Sequence, residues 1–142
     1  MKFIIINGPN LNLLGKREPD IYGSKSFEIF FNELQSKYTS VHLEFYQSNV
    51  EGELINKIHE TGFTYSGIII NAGAYAHTSV AIGDAVAVIK TPAVEVHISN
   101  IFAREEYRHH SYLTPHCKGM ISGLGLDVYE LALIYFMMEQ KK

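Results

Sequence analysis

Tyr22 and Arg17 are the first two residues whose types and spacing could do chemistry. They lie five apart in the stretch from Asn7 to Gly23, NGPNLNLLGKREPDIYG. A tyrosine with its ordinary pKa of about 10 is a poor base at neutral pH. A neighbouring cation favours the phenolate, and an arginine supplies that charge without competing for the proton being moved. Asn10, Asn12, Lys16, Glu18 and Asp20 share the stretch, and Gly8-Pro9, Gly15, Pro19 and Gly23 punctuate it. That composition predicts a loop rather than a helix, of a length typical of lids and binding loops. The expectation is a mobile loop carrying a tyrosine made more acidic by arginine. The plainer alternative is one ordinary half-buried tyrosine among nine.

A second constellation lies in residues 92–99, PAVEVHIS. Strand alternation places Glu95, His97 and Ser99 on one face and Val94, Val96 and Ile98 on the other. A carboxylate inside a central strand is costly unless it is paired. A histidine at a strand's carboxyl end, its tautomer fixed by that glutamate, could act as a general acid. A structural Glu–His pair packed beneath a helix would leave the same pattern, and this strand does not separate the two readings. Arg108 lies in a third polar segment, residues 104–111, REEYRHHS. That segment reads either as part of a site or as a solvated face with Glu–Arg pairs.

These groups must be positioned by regular elements. Strand signals fall at residues 3–7, 42–47, 67–71, 93–99 and 118–122, and runs such as IIIN and GIIIN are continuously apolar. Such runs suit strands buried on both faces of a parallel sheet. Helical stretches fall between them at 25–37, 51–60, 79–89 and 127–140. Ser48-Asn49-Val50-Glu51 and Asp127-Val128-Tyr129-Glu130 read as capping boxes, and Gly62 reads as a helix stop. The alternation predicts one α/β domain over residues 1–142, a three-layer sandwich with five parallel strands in flavodoxin-like order. Ligands in such folds bind beyond the carboxyl ends of the strands. Four predicted ends are polar there: Asn7-Gly8, Ser48-Asn49, the run from Asn71 to Ser79, and Ser99-Asn100. They are expected to converge on one crevice beneath the Tyr22 loop, although caps and turns use the same residue types.

Other chemistries lack their residues. No GxGxxG follows the first strand, and the spacing of Gly8 to Gly15-Lys16 is wrong for a P-loop. The stretch from Asn7 to Tyr22 has no Ser or Thr for a flavin phosphate. His59-Glu60 is not continued to HExxH, His109 and His110 are adjacent, and His116-Cys117 is isolated, so no metal site is supported. A formal net charge of −3 gives no electrostatic case for nucleic acid. No apolar run approaches the ~18 residues of a membrane span. The beginning of the chain lacks the apolar core of a secretory signal, and a single cysteine, Cys117, fits a reducing compartment. The expectation is a soluble, cytoplasmic protein.

Asp84 is the one charged residue between His77 and Lys90, in a helix otherwise apolar nearly all round. One sheet face does not cover such a helix. The C-terminal helix, with Leu131, Leu133, Ile134, Phe136 and Met137, has the same excess, which suggests subunit contacts. A lone Asp at a solvent-facing gap fits the pattern equally.

Three blocks together resemble type II 3-dehydroquinate dehydratase over nearly the whole chain: GPNLNLLGKREPDIYG from Gly8, NAGAYAHTS from Asn71 and EVHISNIFAREEYRHHSY from Glu95. The segment GLGLDVYELAL fits less specifically. Ala72 and Ala76 replace a more usual Pro and Thr, and Gly83 stands where Arg or Ala is common. These departures bear on helix packing or subunit contact and leave the polar residues in place. The resemblance implies a lyase of the shikimate pathway, converting 3-dehydroquinate to 3-dehydroshikimate through an enolate, with no cofactor, metal or imine. It implies Tyr22 as the base, Arg17 as stabiliser of the tyrosinate and of developing charge, His97 as the acid and Glu95 as its orienting partner. Asn12 would hold the enolate through a water. Asn71, His77, Arg108, Ile98 and Ser99 would bind substrate. It further implies trimers assembled into a homododecamer, with Asp84 reaching a neighbour's site.

A non-catalytic flavodoxin-like binding or signalling domain is the competing class. A receiver-type domain would want acidic residues after strand one and an Asp closing strand three, where this chain has Asn7 and Asn71.

Overall fold

The computed structural model describes residues 1–16, 20 and 25–142. Among them β1 (Lys2–Asn7), α1 (Phe27–Lys37), β2 (His42–Gln47), α2 (Glu51–Thr61), β3 (Gly67–Asn71), α3 (Val80–Val88), β4 (Ala93–His97), β5 (Met120–Ser122) and α4 (Asp127–Gln140) follow in chain order. All paired strands are parallel, in the order β2-β1-β3-β4-β5. This is the expected flavodoxin-like α/β sandwich. Successive side chains point to opposite faces, which explains the unbroken apolar runs. Phe3, Ile5, Ile69, Val94 and Val96 pack with α1 and α4. Ile4, Ile6, Ile68, Ile70 and Ala93 pack with α2 and α3. Each fully buried aliphatic side chain contributes about 1.5–3 kcal/mol.

Several expected boundaries shift for local reasons. Helix α1 starts at Phe27 because the Ser26 hydroxyl accepts the Ile29 amide at 3.3 Å. Ser79 caps α3 in the same way, through the Ile82 amide at 2.9 Å. Neither expected capping box forms. Val50 is the cap residue of α2; Ser48 accepts the Val50 amide at 2.9 Å and donates to Glu53 rather than pairing with Glu51. In α4 the cap is Leu126, so Asp127 is already helical and acts through its favourable charge in the first turn. Gly62 closes α2 as expected. The stretch read as pure loop after β1 contains a short 3-10 turn, Leu11–Leu13.

Strand β4 ends at His97 rather than at residue 99, and its partner β5 ends at Ser122. Beyond the ladder, the carbonyl of Ile98 accepts from the Gly125 amide at 3.0 Å and that of Ser99 from the Ser122 hydroxyl at 3.0 Å. The ends of β1 and β3 are drawn together where the Gly8 amide donates to the Asn71 carbonyl at 2.7 Å. A Cβ on Gly8 would lie 2.3 Å from the Ala72 carbonyl oxygen, so this approach requires glycine. Ala72 and Ala76 are both buried in the layer beneath α3.

Candidate active site

Strand β4 delivers Glu95 and His97 to the face of the sheet that carries α3. Glu95 is fully buried, and His97 is 5% exposed. Nε2 of His97 lies 2.7 Å from a Glu95 carboxylate oxygen. Because a carboxylate only accepts, that nitrogen carries a hydrogen and Nδ1 is left as the exchangeable group. The loop after residue 109 completes the support. Ser111 donates its hydroxyl to Glu95 at 2.7 Å, and Thr114 donates to the other carboxylate oxygen. Burial alone would push the Glu95 carboxyl up; the His97 bond and charge, with the two hydroxyl donors, hold it below the usual range.

The same loop holds a second imidazole. His77, in the short turn Gly73–His77 after β3, donates from Nδ1 to the His110 carbonyl at 2.8 Å. Desolvation lowers its pKa and outweighs the raising effect of the His110 carbonyl bond, with the electrostatics of His97 and Arg108 acting in the lowering direction. Neutral His77 therefore presents Nε2 as an acceptor.

His77 and His97 line an open crevice together with Asn71, Ile98, Ser99 and Arg108. Arg108 is fixed by Glu105 at 2.7 Å. Arg104 also lines the crevice, its Nη1 donating to the Ser99 hydroxyl at 3.2 Å. Two guanidinium groups on one wall suit a ligand bearing a carboxylate. Asn71 forms the floor, donating to the Tyr129 hydroxyl at 2.9 Å and accepting the Gly73 amide at 3.1 Å.

Seven of the expected residues are thus brought together: Glu95 behind the wall, and Asn71, His77, His97, Ile98, Ser99 and Arg108 on or near it. Others are placed differently. Arg17 and Tyr22 lie outside the described residues. Asn12 is exposed and borders a separate depression beside Phe27 and Gln47. Asp84 is exposed on α3, away from the crevice of its own chain. The end of β2 does not reach the crevice, so three strand ends converge on it rather than four. Asn49 instead accepts the Asn10 amide at 3.0 Å and steadies a turn in which Asn10 has φ +70°. Asparagine tolerates that left-handed backbone.

Sequence reasoning missed Arg104, Ser111, Thr114 and Tyr129. The signal for Arg104 was present, since it begins the polar segment that contains Arg108. Ser111 and Thr114 carry no local mark, because the carboxylate they serve lies 16 and 19 residues earlier. Among the described residues no three His, Cys, Asp or Glu side chains are grouped as metal ligands. No described helix is long and apolar enough to cross a membrane.

Known proteins are similar to this chain in sequence and in fold. The family model described as dehydroquinase class II matches residues 1–137. The chain is 50% identical over 139 residues to a 3-dehydroquinate dehydratase of Bacillus pumilus, covering 96% of this chain and 95% of the relative. It is 53% identical over 134 residues to one from an Exiguobacterium species, covering 94% and 92%. The crystal structure of a type II dehydroquinase from Butyrivibrio crossotus superposes with a TM-score of 0.92 at 47% identity, over 96% of this chain and 97% of that one. With a matching family model over nearly its whole length and relatives at half identity, the chain belongs to the class II dehydroquinase family.

Proposed function

We propose that residues 1–142 act as one catalytic domain that dehydrates 3-dehydroquinate to 3-dehydroshikimate in the shikimate pathway, in the cytoplasm and without a cofactor. The observation that carries this reading is the Glu95–His97 pair opening into a crevice walled by Arg104 and Arg108. The arginines suit the substrate carboxylate, which the Ile98-Ser99 segment and Arg108 hold. Asn71 and His77 take the ring hydroxyls, one as an N–H donor and the other as an acceptor.

The reaction removes one proton and one hydroxyl. Tyr22, as phenolate beside Arg17, takes the proton from C2, and the C–H electron pair becomes an enolate. Asn12 supports that enolate through a water. The enolate then collapses, the C1–O bond breaks with its electron pair on oxygen, and the Nδ1 proton of His97 converts the departing hydroxyl to water. Glu95 holds the imidazolium in register while it carries that proton. The proton gained by Tyr22 and lost by His97 is redistributed through solvent before the next turnover. No lysine enters, so no imine forms.

Helix α3 supports an oligomeric form of this enzyme. Val80 and Val88 are 54% and 63% exposed, and Ala81, Asp84 and Ala87 share that open face. Covering this apolar strip with another subunit would place Asp84 at a neighbour's site, within trimers that build a homododecamer.

The test is absorbance of the conjugated enone product during incubation with 3-dehydroquinate. Tyr22→Phe should lower turnover by about 10²–10⁴-fold, the usual weight of a general base. Borohydride added with substrate should leave activity intact. A protein that binds substrate without enone formation would be a binding module, and lysine trapping by borohydride would replace the enolate route with an imine one.

A further inference from the structure

Asn7 and Asn71 end the adjacent strands β1 and β3 and stand directly opposite one another in the ladder. Strand alternation turns both side chains toward the layer of α1 and α4, because Ile5 and Ile69 two residues earlier pack there. Tyr129, from the first turns of α4, meets them. Its hydroxyl donates to Asn7 Oδ1 at 2.8 Å and accepts from Asn71 Nδ2 at 2.9 Å. All three groups are almost completely shielded, with Tyr129 at 0%, Asn7 at 1% and Asn71 at 4% exposure.

The bonds have a direction. A carbonyl oxygen only accepts, so Asn7 Oδ1 takes the phenolic hydrogen and leaves the Tyr129 oxygen lone pairs for Asn71. Asn71 Oδ1 is engaged by the Gly73 amide at 3.1 Å. Its oxygen and one amide hydrogen are therefore committed to the protein, and its remaining N–H is the group it can offer to the crevice it lines. Burial pushes the Tyr129 phenol well above its usual range, so the hydroxyl keeps its hydrogen. The ring itself is wedged edge-on against Phe27 at 5.1 Å. Among the described residues Asn7 Nδ2 is buried without a hydrogen-bond partner, and the Asn7 side chain is held through its oxygen by Tyr129.

We propose that Tyr129 is a positioning residue which, anchored by Asn7, fixes the Asn71 amide so that the crevice floor offers a hydrogen-bond donor to an acceptor oxygen of the ligand. The proposal deepens the dehydratase reading and rests on it for the identity of that ligand. Tyr129 acts only through Asn71; it touches no ligand itself.

Tyr129→Phe keeps the ring and removes the hydroxyl. It should raise KM for 3-dehydroquinate about tenfold, the scale of one misplaced buried hydrogen bond, with a smaller change in kcat. The deciding measurement is the same substitution in an Asn71→Ala background, where it should leave KM within about twofold. An equal rise in both backgrounds would show that Tyr129 serves only the core and would overturn the proposal. Side-chain amide resonances of ligand-free protein give a readout independent of activity: the Asn71 amide should shift strongly in Tyr129→Phe, and an unchanged resonance would refute it. Asn7→Ala, which loosens the hydroxyl from its other end, replaces Tyr129→Phe if that variant does not fold, with the same outcomes expected. If the parent protein makes no enone, the dehydratase reading fails while the resonance test of Tyr129 still decides.

Discussion

The imidazole rings of His77 and His97 stack with centroids 5.6 Å apart and planes inclined by 23°, yet they hold to opposite kinds of partner. His97 bonds a buried carboxylate, whereas His77 bonds a backbone carbonyl. Desolvation keeps His77 as a neutral acceptor. One loop of five residues, from His110 to Thr114, supplies the partner of His77 and the two hydroxyl donors to the carboxylate that holds His97.

The lowered pKa of His77 gives stability a pH dependence. A histidine depressed in the folded state binds protons more readily when unfolded, so stability rises with pH across the window between the two pKa values. The contribution is fully present above the unfolded value of about 6.5 and declines as pH falls below it. Replacing His77 with Asn should flatten this part of the curve. Urea unfolding midpoints between pH 5 and 7 would check it, and an unchanged slope would assign the dependence elsewhere.

Ser111 and Thr114 hold a carboxylate that is wholly buried. Ser111→Ala or Thr114→Val should each cost about 1.5–3 kcal/mol, the range for hydrogen bonds to charged groups. The sign with pH also follows. Glu95 is depressed in the fold, so its contribution is present above the unfolded carboxyl pKa and lost as pH falls through the folded one. Removing a donor raises the folded value, so acid unfolding of either variant should begin at a higher pH. Circular dichroism during acid titration would detect that shift, and coincident acid transitions would contradict it.

Gly83 lets α3 press against this loop, for a Cβ there would lie 2.5 Å from the Tyr112 carbonyl oxygen. Gly83→Ala gains about 1 kcal/mol of helix propensity but incurs an overpacking cost of roughly 1–3 kcal/mol. The expected balance is a net loss of stability. Turnover should fall as well, since the displaced loop carries the partners of His77 and Glu95. Thermal unfolding with kinetics on the same sample tests both, and a more stable, fully active variant would show that the loop yields freely.

Asp84 provides a test of shared sites. Asp84→Ala and Tyr22→Phe should each be inactive alone. Mixed under conditions that exchange subunits, they should recover part of the activity through sites that draw an intact residue from each chain. Verified mixed oligomers without activity, or an active native monomer, would remove Asp84 from a neighbour's site.

What the chain states locally was readable, and what it assembles across distance was not. The runs IIIN and GIIIN required strands covered on both faces, and alternation placed Glu95 and His97 together, because strand periodicity is a property of consecutive residues. Strand–helix alternation pointed to the flavodoxin-like strand order, and the resemblance to type II dehydroquinases made the polar blocks recognisable as a set. Local pattern alone misled at Ser48 and Asp127, whose cap-like spacing was overridden when the chain entered its helices at Val50 and Leu126. Ser111 and Thr114 on Glu95 leave no periodic trace, and neither does Tyr129 between Asn71 and Asn7, 58 and 122 residues away along the chain. Hydrogen bonds between distant side chains are set by how the layers pack, and only the folded structure brings together the oxygens and nitrogens that give the crevice its polarity.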